Sequence, residues 1–133
     1  MKVIVDTCIW SLALRRRNTN IHHVTAELQK LIEESRVQML GPIRQELLSG
    51  IASHAQFKKL KTHLLAFPDL LITTEDYELA AEYFNICRAK GIQGSAIDFL
   101  ICAIASHHQL AIFTTDNDFI AYASKIPVML YKI

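Results

Sequence analysis

Five strand-length apolar runs punctuate the chain, at residues 3–5, 37–40, 70–72, 111–114 and 127–131. Among them lie helix-length stretches with apolar spacing near 3.6 residues, at 24–35, 42–49, 54–66, 75–90 and 95–108. Strands that are apolar without alternation must be covered on both faces, and helical crossovers supply that cover, so the pattern predicts an α/β fold around a mainly parallel sheet. No linker, repeat or low-complexity segment interrupts the 133 residues. With 51% hydrophobic content there is enough apolar surface for one continuous core, so a single domain over 1–133 is expected.

Several boundaries carry their own signals. Pro42 suits the first position of a helix and Gly50 the position just past its end. Ser95, with Asp98 three residues later, has the form of a helix N-cap. Nearly every position from 97 to 105 is apolar, which predicts a helix buried on most sides and makes Asp98 an acid anchored in the core.

The remaining composition excludes more than it selects. Three widely spaced cysteines, Cys8, Cys87 and Cys102, form neither a C-x-x-C pair nor a Cys/His zinc pattern, which points to a reducing, cytoplasmic setting. The N-terminal residues read as a strand rather than a signal peptide, and no stretch approaches the roughly 20 apolar residues of a membrane span. A soluble chain without membrane contact is expected. The net charge of +1 announces no polyanion partner, so any nucleic-acid contact must rest on local patches. Arg15, Arg16 and Arg17 form the clearest basic run, with Lys58, Lys59 and Lys61 as a looser cluster.

Ligands of a parallel sheet bind where the loops leave the carboxyl ends of the strands. That edge selects Asp6, which ends the first strand, and Asp116, just beyond the 111–114 strand. It also selects Glu46, one turn into the helix after the second strand, and Asp98, in the first turn of the buried helix. Taken singly, each fits a structural role: Asp6 and Asp116 as helix caps, Asp98 as the reciprocal member of a capping box with Ser95, Glu46 as an exposed helix residue. Taken together they are better explained by a shared cation, because carboxylates crowded on one low-dielectric edge raise one another's pKa. Oxygen donors without His or Cys suit Mg²⁺, with Mn²⁺ as a substitute. Mg²⁺ keeps waters and is completed by substrate phosphates, which points to phosphodiester or phosphoryl chemistry.

Val-Asp-Thr at 5–7, Glu46 in Pro-Ile-Arg-Gln-Glu-Leu, Asp98 in Ser-Ala-Ile-Asp-Phe-Leu-Ile-Cys-Ala-Ile-Ala, and Thr-Thr-Asp-Asn-Asp-Phe at 114–119 resemble the four acidic motifs of PIN domains. Each motif is short, but their order and spacing match over essentially the whole chain, and the length resembles a free-standing VapC toxin of a type II toxin–antitoxin pair. The resemblance implies a three-layer α/β/α domain with a mainly parallel five-stranded sheet. It implies metal binding by Asp6, Glu46, Asp98 and Asp116, a supporting or second-metal role for Asp118, and polar support from Thr7 and Thr114. It further implies Mg²⁺-dependent cleavage of RNA by a metal-activated water, a cognate antitoxin that covers the acidic pocket, and a homodimer packed through helices. Arg15, Arg16 and Arg17 are then expected to contact RNA or the partner.

Other readings compete with this one. A haloacid-dehalogenase-type phosphatase also begins with an acid at the end of its first strand but needs a second Asp two residues later, where this chain has Cys8. A housekeeping PIN nuclease of RNA processing, or a catalytically silent PIN-like module that only binds RNA or protein, would share the fold. His22, His23, His107 and His108 sit at expected helix edges and read as surface or capping residues, Cys8 reads as a small buried residue, and Trp10 reads as core.

Overall fold

In the computed structural model, which describes residues 1–14 and 22–133, the sheet is built around β1 (Val3–Val5), whose three residues are all buried. After it come α1 (Thr7–Leu14), α2 (His22–Glu33), β2 (Val37–Gln38), α3 (Gly41–Leu48), α4 (His54–Leu64), α5 (Thr74–Ala89) and α6 (Ala96–His108), then β3 (Ala111–Phe113), α7 (Asp118–Ala123) and β4 (Met129–Leu130). The strands pair in the order β2-β1-β3-β4. All three pairings are parallel, with Val3 opposite Val37 and Ala111, Val5 opposite Phe113, and Ile112 opposite Leu130. The two central strands are buried along their length, as expected of parallel strands covered by helices on both faces.

Among the described residues the sheet has four strands, where the resemblance implies five. Near the 70–72 run there is one isolated parallel bridge, Met39 to Asp69 just before it, and one hydrogen bond from the Leu70 amide to the Met39 carbonyl at 3.1 Å. Pro68 precedes it and has no N–H to extend the ladder, and although Leu70 and Ile72 pack against the core, Leu71 between them is 79% exposed, so the segment is covered on one face only. Two helices, α1 and α7, lie beyond the five that periodicity reveals. The first is apolar almost throughout and the second is six residues long, so neither shows an amphipathic repeat. Among the described residues no helix is long and apolar enough to cross a membrane.

Local chemistry fixes the helix ends. Pro42 sits in the first turn of α3, and Gly50 just beyond that helix takes φ +84°, a conformation that suits glycine. Arg44 on α3 pairs with Asp69 at 3.0 Å and donates to the carbonyls of Leu64 and Phe67, tying α3 to the end of α4. Trp10 is core: its ring packs edge-on against Phe67 at 5.2 Å and its Nε1 donates to the Val5 carbonyl at 3.1 Å. In α6 every residue from Phe99 to Ala105 is buried, and the helix ends at Gln109 in the left-handed conformation. Ser95 caps it by accepting from the Asp98 amide at 3.1 Å.

The firmest cap is that of α5. Thr73 Oγ1 accepts from the Asp76 amide at 3.4 Å, while Asp76 Oδ2 accepts from the Thr73 amide at 2.9 Å and from its hydroxyl at 3.1 Å. The Asp76 carboxylate is fully buried, the one charged side chain so placed among the described residues. Thr73→Ala should therefore cost about 1–2 kcal/mol, at the upper end of capping effects, because it also strips a bond from a buried carboxylate. Ser53→Ala, at the exposed cap of α4, should cost less. Denaturant midpoints measured at unchanged slope check the ranking, which fails if the two losses are equal.

Candidate metal centre at the carboxyl edge of the sheet

The pairing of β1 with β3 delivers the first acid. Asp6 follows Val5, and its amide donates to the Phe113 carbonyl at 2.9 Å, so it leaves the sheet at the level where β3 ends. Its carbonyl accepts from the Ile9 and Trp10 amides, which starts α1. Both carboxylate oxygens are held: Oδ1 accepts from the Thr7 amide at 2.9 Å and Oδ2 from the Thr114 hydroxyl at 2.7 Å. Thr114 Oγ1 in turn accepts from the Asp116 amide at 3.0 Å, and Asp116 Oδ1 accepts from the Asp118 amide at 2.9 Å. One chain of hydrogen bonds thus runs from β1 through the end of β3 to the start of α7.

Asp98 approaches from α6. It does not close the expected reciprocal box with Ser95. Its Oδ2 accepts instead from the Tyr122 hydroxyl on α7 at 2.7 Å. Asp98 is half-buried, whereas Asp116 and Asp118 are exposed, so the acid read as anchored in the core sits at its rim. Oxygens of Asp98, Asp116 and Asp118 lie within 4.8 Å of one another. Burial pushes the Asp98 carboxyl above its ordinary value, and the charges of Asp6 and Asp116 push it further, while the bond from the Tyr122 hydroxyl opposes the shift. Desolvation rather than mutual repulsion is the larger cause. The donor set is all oxygen, and Thr7 Oγ1 is buried without a hydrogen-bond partner among the described residues, so the edge fits a hard, partly hydrated cation such as Mg²⁺.

Glu46 lies on the exposed side of α3, outside the group of three carboxylates, while Asp118 lies within it. Asp6 is also outside that group, although its charge acts on Asp98. Arg15, Arg16 and Arg17 fall outside the described residues. Cys8 is half-buried at the site rather than sealed in the core. Its Sγ is 3.6 Å from Asp6 Oδ2 and 3.4 Å from the hydroxyls of Thr114 and Thr115.

Two residues that sequence reasoning passed over shape the site. Tyr122 is completely buried, and burial together with the Asp98 carboxylate pushes its hydroxyl well above the ordinary phenol value, so it remains a donor. Its one signal in the sequence is its place four residues after Asp118, on the same face of α7. Gly94 makes room for it. A Cβ there would meet the Tyr122 hydroxyl and stand 2.8 Å from the Phe99 ring, so the position demands space rather than unusual backbone.

Comparison with known proteins agrees with this architecture. The family model described as PIN domain matches residues 3–125. The structure superposes on the FitAcB structure from Neisseria gonorrhoeae with a TM-score of 0.79 and 23% identity, over 98% of this chain and 96% of that one. It superposes on VapBC2 from Rickettsia felis, bound to a DNA fragment from their promoter, with a TM-score of 0.79 and 16% identity, over 98% of each chain. A toxin–antitoxin complex from Klebsiella pneumoniae gives 0.63 and 20%, over 89% of this chain and 90% of that one. At these identities the likeness is one of fold. Comparison of the sequence with curated proteins finds no match.

Two predictions follow from the Asp98 environment. Folding favours its protonated form, so the metal-free protein carries a penalty at neutral pH that fades as pH falls through the raised pKa. Asp98→Asn should therefore melt at least as high as wild type in EDTA near neutral pH, and its advantage should shrink on acidification. A lower melt at neutral pH would make Asp98 a structural cap instead. Tyr122→Phe removes a bond that favours the carboxylate and should raise the Asp98 pKa further in an NMR titration. Gly94→Ala should do the same by displacing the hydroxyl, with an overpacking cost of about 1–3 kcal/mol. An unmoved Asp98 titration in both variants would rule out this role for Tyr122.

Proposed function

Because the chain belongs to the PIN-domain family, whose members are nucleases, we propose that it is a Mg²⁺-dependent endoribonuclease and the toxin of a VapC-like type II toxin–antitoxin pair. The observation that carries this reading is the convergence of Asp98, Asp116 and Asp118 oxygens at the sheet edge, with Asp6 fixed beside them by Thr114. A divalent cation bound there supplies a Lewis acid for a phosphate oxygen and a more acidic water.

The chain's own residues do the rest. Asp98, Asp116 and Asp118 hold the ion, and Asp6 adds negative charge that favours its binding. Thr114 orients both Asp6 and the Asp116 backbone, and Tyr122 fixes one oxygen of Asp98. Thr7 Oγ1 is buried without a hydrogen-bond partner among the described residues, which leaves its bonding capacity open. Glu46, exposed on α3 and outside the group of three carboxylates, is the remaining candidate ligand carried by the PIN-domain resemblance. The toxin assignment is supported by the fold shared with FitAcB, VapBC2 and the Klebsiella pneumoniae toxin–antitoxin complex. It brings with it an antitoxin that covers the acidic edge, a homodimer, and RNA or partner contact by Arg15, Arg16 and Arg17.

RNA cleavage should require Mg²⁺ or Mn²⁺ and disappear in EDTA, and undiminished cleavage in excess chelator would overturn the mechanism. Asp6→Asn, Asp98→Asn and Asp116→Asn should each remove most activity. Asp118→Asn should lose at least as much as Glu46→Gln, because Asp118 and not Glu46 shares the carboxylate group. The reverse order would place the ion nearer α3. Three phosphate contacts by the arginine run would give a salt-dependence slope of about −2 on single-stranded RNA. Replacing all three by Gln with no change in slope or in antitoxin binding would remove the run from both interfaces.

A further inference from the structure

A second group of metal-ligating side chains lies at the far end of α6. Nine residues separate Asp98 from His107 along that helix, about 14 Å at the α-helical rise, so this group is distinct from the acidic edge. There the last turn of α6 meets the first turn of α5. His107 Nδ1 lies 2.7 Å from Asp76 Oδ1, and His108 Nε2 lies 3.8 Å from the same oxygen. The other Asp76 oxygen is committed to the Thr73 amide and hydroxyl.

An ion pair between Asp76 and His107 accounts for only part of this arrangement. His108 Nε2 is buried and has no hydrogen-bond partner among the described residues. A ring nitrogen in that position costs free energy unless something satisfies it. We propose that Asp76, His107 and His108 form a binding site for a borderline transition ion of the Zn²⁺ class, which pins the start of α5 to the end of α6.

The geometry and the chemistry agree. Tetrahedral ligands at Zn–N and Zn–O distances of about 2.0–2.2 Å stand about 3.3–3.6 Å apart. The two contacts to Asp76 Oδ1 straddle that value, and ligand atoms of all three residues lie within 4.8 Å of one another. Binding releases to solvent the proton that His107 and Asp76 share, and the vacated nitrogen becomes a ligand. Two imidazoles and one carboxylate suit Zn²⁺, Co²⁺ or Ni²⁺ and not Mg²⁺. Thr73 fixes the ligating carboxylate from behind, as outer-shell bonds do in metal sites. Glu75, 3.8 Å from the other ring nitrogen of His107, adds negative charge at the mouth.

Calorimetric titration with Zn²⁺ tests this independently of nuclease activity. The wild-type chain should bind one Zn²⁺ that survives in an Asp98→Asn/Cys8→Ser variant, in which the acidic edge is disabled. His108→Ala leaves the Asp76–His107 pair in place and should weaken this site at least tenfold and abolish its Zn²⁺-induced rise in melting temperature. His108→Gln, which keeps a polar side chain, should do the same and serves if the Ala variant fails to fold. Zn²⁺ affinity unchanged in both His108 variants, loss of binding in the Asp98→Asn/Cys8→Ser variant, or no saturable Zn²⁺ binding in the wild type would each overturn the proposal.

Discussion

The register of β1 against β3, with Val5 opposite Phe113, decides the level at which both strands leave the sheet. Because the pairing is parallel, the two exits lie side by side, and Asp6 and Thr114 emerge within hydrogen-bonding reach of each other. A slip of one residue would turn every side chain of β1 to the opposite face and carry Asp6 away from this edge. Such a slip would draw Lys2 or Asp6 into the buried ladder in place of an apolar residue, and that cost holds the register. The acidic edge is in this sense a product of the apolar centre.

Around that fixed point, charge is crowded and only partly compensated. Asp116 and Asp118 remain exposed and keep their hydration, but Asp98 is drawn toward the core by the burial of α6. The Tyr122 hydroxyl offsets part of the cost, and Gly94 leaves the space in which it does so. What remains uncompensated would favour a cation at this place, as the proposed function requires. The stability of the metal-free chain and the affinity of the site are two expressions of the same strain.

The sequence made much of this legible, for reasons that can be named. Asp6, Asp98 and Asp116 stand at fixed offsets from apolar runs, and strand exits and helix starts are what such runs define. Ser95 and Pro42 announced their helices because capping is local chemistry. The fifth strand was misjudged because an apolar run such as 70–72 does not show whether a partner face exists, and the effect of Pro68 on the ladder becomes visible only beside Met39. Tyr122 and Gly94 escape the sequence because their roles are long-range: a tyrosine in an apolar helix reads as core, and a glycine required for space carries no turn signature. His107 and His108 looked like a helix edge because nothing in the sequence joins them to an aspartate 31 residues earlier.

The edges of the sheet have a consequence for how this molecule can meet others. On one side β2 is two residues long, and the Gln38 side chain donates to the carbonyls of Met39 and Pro68, occupying acceptors that a further strand would need. On the other side β4 is equally short. Among the described residues neither edge offers a row of free amides and carbonyls long enough to template an extended peptide, which disfavours recruitment by β-augmentation and the aggregation that accompanies open edges. Recognition of this chain by another protein is therefore left to its helical faces and loops, where side-chain shape and charge discriminate between partners in a way that backbone pairing does not.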